Sequence, residues 1–138
     1  MSRYKSEQTA YSLLKKKNVP VWRLDTNTVT VTHFNADTPT EERKNYHPDF
    51  IRYHLHFADS HCTDRLRRLV NEGKIMQYLD DMELKVGEAI LRQVELWKQS
   101  DNCYQKAVLE GDAEKMLSLE NCFISIAREV VFECMVYI

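Results

Sequence analysis

Two long apolar stripes constrain this chain more than any other feature. From Lys74 to Gln99, the residues Ile75, Leu79, Met82, Val86, Ile90, Val94 and Trp97 recur at steps of three or four. That spacing puts side chains on one face of an α-helix about 39 Å long. A second stripe of similar length follows at Met116, Leu119, Phe123, Ile126, Ala127, Val130, Cys134 and Tyr137. Between them a short helix from Asp101 to Leu109 leads to Gly111-Asp112, a stop followed by a capping residue. Two stripes joined by a short reversal bury each other as an antiparallel pair. The apolar area of such a pair is too small to offset the entropy of ordering roughly sixty residues, so other helices or a second chain must cover it.

The upstream half supplies candidates. Gln8 to Lys17 places Ala10, Tyr11 and Leu14 at helical spacing and ends in three lysines suited to a helix C-terminus. Val19–Leu24 and Thr28–Phe34 flank Asp25-Thr26-Asn27, and the second run alternates, so a β-hairpin is expected there with Pro20 at its edge. Thr38-Pro39-Thr40-Glu41 has the form of a helix start, with a helix to about Tyr46 and another from Pro48. Gly73 is placed to close that region as a helix terminator. The expected fold is thus mainly α: a helical bundle built on a long antiparallel helix pair, with a small N-terminal β-hairpin. All 138 residues form one domain, in which 1–36 are an appendage of helix and hairpin and 37–138 the helical core.

Only three glycines and three prolines interrupt the chain, which favours long helices. No run of about 18 apolar residues occurs and the first residues carry no signal-peptide pattern, so a cytoplasmic protein without membrane contact is expected. Cys62, Cys103, Cys122 and Cys134 form no CxxC pair and read as reduced thiols, the last three within apolar patterns where packing is the ordinary role. An apolar strip left over by so small a core points to a homo-oligomer.

Few residues are patterned for chemistry. His47, His54 and His61 recur at sevens, but on one straight helix that step separates them by about 10 Å, too far to share an ion. Cys62 follows His61 directly, and adjacent helical residues point about 100° apart, so no nucleophile and base pair is formed. No phosphate loop or dinucleotide fingerprint occurs. The expectation is a protein with no catalytic residue, metal or cofactor.

Charge is more informative. Residues 1–23 carry six Lys or Arg against Glu7 alone, whereas residues 74–138 carry seven against twelve acids. Lys15, Lys16 and Lys17 form one dense cationic run; Arg65, Arg67 and Arg68, with Arg52 upstream, form another within a predicted helix. With Arg3 and Lys5 they define a candidate nucleic-acid-binding surface.

Leu69-Val70-Asn71-Glu72-Gly73-Lys74-Ile75-Met76-Gln77-Tyr78-Leu79, followed by Asp81-Met82-Glu83, resembles the transposon-encoded TnpV family, which shows Leu-Leu, Gly-Lys-Leu and Tyr-Leu in this order. Asn121, Ala127, Glu129, Val130, Val131, Glu133 and Met135-Val136-Tyr137 resemble its closing segment. The resemblance covers about residues 65–138 and implies a helical protein carried on a bacterial mobile element, with no catalytic residue to carry over. The expected function is a non-enzymatic accessory protein binding nucleic acid or a protein of the transposition machinery. The alternative is an acidic helical inhibitor or adaptor of a host nucleic-acid enzyme, using the acidic C-terminal region; a metal-dependent or thiol enzyme ranks last.

Overall fold

The computed structural model describes residues 3–38, 40–135 and 137. Its strands are β1 (Arg3–Lys5), β2 (Thr9–Ser12), β3 (Lys17–Pro20), β4 (Trp22–Asp25), β5 (Thr30–Asn35) and β6 (Thr40–Asn45). Its helices are α1 (Asp49–His61), α2 (Thr63–Asn71), α3 (Ile75–Ser100), α4 (Asn102–Glu110) and α5 (Ala113–Met135). The chain forms two compact units, one built mainly from the residues up to Glu83 and the other from Leu84–Met135.

The first unit is a layer of antiparallel sheet with helices on one side. Strands run in the order β1-β4-β5-β6, and β2 pairs separately with β3. Because side chains alternate along a strand, the register divides the sheet into two faces. Tyr4, Leu24, Val31 and Lys44 lie in one cross-strand row, with Trp22 opposite His33 in the next. This inner face meets the helices. Leu24 and Val31 are buried, as are Ile51 and Leu55 of α1, Leu66 and Val70 of α2, and Ile75 and Leu79 of α3. The Tyr4 hydroxyl donates to Asp59 of α1, and the Tyr46 hydroxyl donates to Asp80 of α3 at 2.7 Å. Gly73 ends α2 with a φ of +71°, and a Cβ there would lie 2.6 Å from Nε1 of Trp22, so both backbone and space require glycine.

These strands overturn the expected helical bundle. About 60% of the chain is helix and 20% strand, with a four-stranded sheet at the centre of the first unit. The helix expected at residues 8–17 is instead β2, a turn and the start of β3. Pairing of Thr9 with Pro20 and Ser12 with Lys17 occupies backbone groups that a helix would have used, and such non-local pairing outweighs a weak helical spacing. The helix expected from Pro39 to Tyr46 is the edge strand β6; Pro39 itself lies outside the described residues. All six residues of β6 are paired with β5, and its Glu41, Glu42, Arg43 and Lys44 give the exposed edge the charges that discourage further pairing. A hairpin does join β4 to β5, but its turn is residues 26–29, Asp25 pairs with Thr30 as the end of β4, and Val19-Pro20 belong to β3.

The second unit contains the latter part of α3 with α4 and α5. Its buried core is Val94, Tyr104, Phe123 and Ala127, flanked by Ile90, Trp97, Met116, Leu119 and Ile124. Asp101 caps α4 by accepting the Tyr104 N–H at 2.8 Å, Gly111 ends α4 at a φ of +65°, and Asp112 accepts the Lys115 N–H at 3.1 Å. Lys98 bridges Glu120 of α5 at 3.2 Å. The α3 stripe is therefore divided between two cores, with Ile75, Leu79 and Met82 buried in the first unit, and is not one edge of a paired rod. Cys103, Cys122 and Cys134, expected to pack inside, are exposed free thiols. Leu84, Leu91, Leu109 and Leu117 are also exposed.

Candidate nucleic-acid interface

The outer face of the sheet carries the residues that the inner face does not. Lys5, Arg23, Thr32 and Arg43 are successive cross-strand partners, one from each of β1, β4, β5 and β6. Arg3, Asp25, Thr30 and Asn45 form the neighbouring row. Neighbouring strands are about 4.8 Å apart, so the first row runs about 14 Å across the sheet. Both rows line an open cleft of about 550 Å³, which holds Arg3, Lys5, Arg23 and Arg43 against the single carboxylate of Asp25.

The cations are held in place but remain accessible. Arg3 lies 3.4 Å from Asp25, while Arg23 at 3.0 Å and Arg43 at 3.5 Å share one oxygen of Glu41. Lys5 is exposed and, among the described residues, is paired with no carboxylate. Exposed pairs of this kind contribute little to stability. Their guanidinium forks are instead groups that bind phosphate oxygens well, whereas Thr32 between them is buried and Thr30 half-buried. The aromatic side chains of the sheet are elsewhere: Trp22 stacks on His33 at 4.1 Å between ring centroids on the inner face, and Tyr4 also faces the helices. Phe34 shares the outer face's parity but is buried. The cleft therefore offers charge and hydroxyls without a platform for stacking bases.

The sequence-predicted cations divide between two sides. Lys15 and Lys16 lie in the turn joining β2 to β3, and Lys17 opens β3. Lys15 approaches Glu41 to 3.9 Å, which ties this turn to Arg23 and Arg43. Arg52 is exposed on α1, Arg65 is half-buried on α2, and Arg67 and Arg68 are exposed on α2, with Arg67 3.4 Å from Asp64. α2 packs on β1 and β4 from the inner side, so these four arginines do not join the cleft. Sequence reasoning missed Arg23 and Arg43. The available signal was the two-residue period of Arg23-x-Asp25 and Arg43-x-Asn45, which matches Arg3-x-Lys5.

The titrating groups of the inner face are structural. Burial, reinforced by the hydrogen bond to Asp59, pushes the Tyr4 hydroxyl well above the usual tyrosine range; burial and Asp80 do the same to Tyr46. Burial opposes ionisation of Asp80, but hydrogen bonds from Lys44 at 2.5 Å and from Tyr46 outweigh it, so its carboxyl titrates below the ordinary aspartate value. The three histidines spaced by seven are separated: His54 is buried with Nε2 2.6 Å from the Tyr78 hydroxyl, His47 precedes α1, and His61 ends α1 against Phe57. Among the described residues no three His, Cys, Asp or Glu side chains are grouped to hold a metal ion, and no helix is long and apolar enough to cross a membrane.

Comparison with protein-family models, with characterised proteins and with solved structures finds no match to this chain. The likeness of residues 65–138 to the TnpV family rests on the residues quoted above alone.

Proposed function

We propose that this protein binds duplex nucleic acid through its phosphates, using the outer face of the four-stranded sheet, and acts without catalysis of its own. The observation that carries this reading is the row of Lys5, Arg23, Thr32 and Arg43, which strand pairing assembles from four separate parts of the chain. Four cations, one paired with Asp25 and two sharing Glu41, leave a net positive charge in a cleft open to solvent, which attracts a polyanion. A face without exposed aromatic rings favours backbone contacts over the stacking by which single strands are held. The resemblance to a transposon-encoded family would place that binding on a mobile element, as an accessory activity.

Fluorescence anisotropy with a labelled duplex and the matching single strand tests the reading. The duplex binds more tightly, and its affinity falls steeply with salt as phosphate counterions are released. Glu41→Gln removes the carboxylate that competes with phosphate for Arg23, Arg43 and Lys15, and tightens duplex binding by about 3- to 10-fold. Absence of binding at low salt, or weaker binding by Glu41→Gln, contradicts it.

A further inference from the structure

The arm formed by β2 and β3 continues the β1–β4 hairpin beyond a bulge. Lys5 pairs with Arg23 and Thr9 with Pro20, which leaves three residues on one strand opposite two on the other. Ser6 fixes this bulge: its backbone N–H donates to the Trp22 carbonyl at 2.8 Å, and its hydroxyl oxygen accepts the Trp22 N–H at 3.0 Å. A bulge of this kind redirects a strand and increases its twist. The arm's turn, Leu13-Leu14-Lys15-Lys16, thereby comes within reach of β6 through the Lys15–Glu41 pair.

The chemistry of that turn is unusual for a solvated loop. Leu13 is 72% exposed and Leu14 91% exposed, side by side at the tip, and three lysines follow. Lys16 holds a φ of +55°, a left-handed conformation that glycine or asparagine adopts more readily. The turn is nevertheless held, because Ser12 is buried and its hydroxyl oxygen accepts the Lys15 N–H at 3.3 Å. An apolar point bordered by cations fits a ligand whose border is anionic and whose interior is apolar.

We infer that the arm is a wedge: Leu13 and Leu14 enter between adjacent base pairs of a duplex held by the outer face, while Lys15, Lys16 and Lys17 meet the flanking phosphates. The inference rests on the proposed duplex binding. Glu41 links Lys15 to Arg23 and Arg43, so one ligand reaches the tip and the cleft together. A duplex satisfies both, because leucine inserted at a base step unstacks it and bends the helix by about 20–90°.

The probe is a duplex of about 20 base pairs carrying a donor and an acceptor fluorophore at its ends. Binding of the wild-type protein raises energy transfer between the ends as the duplex bends. The double variant Leu13→Ser/Leu14→Ser, altered only at exposed positions, binds with an unchanged salt dependence and an affinity lowered about 3- to 10-fold, without the rise in energy transfer. Wild-type binding that leaves the duplex straight overturns the wedge and leaves the cleft reading intact, as does bending by the double variant. Failure of the wild type to bind any duplex overturns both. Leucine-dependent binding to phosphatidylserine-containing vesicles, with no bending of the duplex, overturns the wedge in favour of a lipid surface.

Discussion

The two faces of the four-stranded sheet come from the same strands, yet several neighbouring residues on them differ in where their side chains go. On β4, Leu24 is 1% exposed beneath the helices, while its neighbour Arg23 reaches the cleft. On β5, Val31 is fully buried and Thr30 lines the cleft. On β6, Lys44 turns inward to Asp80, whereas Arg43 stays 69% exposed beside Glu41. A period of two thus lets one short segment hold the fold with one set of side chains and present a charged surface with the other. If the outer face binds a duplex as proposed, stability and binding should be separable by substitution.

The largest effect that would break or uphold this separation is on stability. Leu24→Ala removes a fully covered side chain between sheet and helices, and unfolding in denaturant should show a loss of about 2–5 kcal/mol. While the protein remains folded, its affinity for a duplex should change by less than about twofold, since Leu24 contributes nothing to phosphate contact. A comparable loss of both would show that the faces are not independent.

A smaller effect sharpens the inner face. Asp80 has a folded pKa below its unfolded value of about 3.9, so the stability it contributes is present above that value and is lost as the pH falls through the folded pKa. Asp80→Asn should therefore be less stable than the wild type at neutral pH, with the difference closing below about pH 3.9 in parallel denaturation curves. A difference that stayed constant into strong acid would mean that ionised Asp80 does not stabilise the fold.

The second unit and the helical layer were legible in the sequence to a useful degree. The periodicity of Ile75–Trp97 does form one helix, and Asp101, Gly111 and Asp112 do cap and stop where local chemistry directs. What local pattern could not supply was the pairing partner. Thr40–Asn45 carries a capping sequence and charges that suit a helix as well as a strand, and only hydrogen bonding to β5 decides between them. The same cause hid the cleft. Lys15–Lys17 and Arg65–Arg68 are dense in sequence and so draw notice, whereas Lys5, Arg23 and Arg43 are each isolated and become neighbours only through the register. The division of the α3 stripe was hidden for a related reason, because periodicity reports that a face is covered without saying by what.

Contact between the outer-face cations and phosphates would be read in the salt dependence of duplex affinity for the wild type and for Lys5→Gln/Arg43→Gln. Both residues are exposed, and Lys5 has no carboxylate partner among the described residues, so the variant should fold normally. Each lost phosphate contact lowers the slope of log affinity against log salt by about 0.9, so the slope should be shallower by about 1.8 and binding weaker. An unchanged slope, with wild-type affinity, would mean that nucleic acid does not lie on this face.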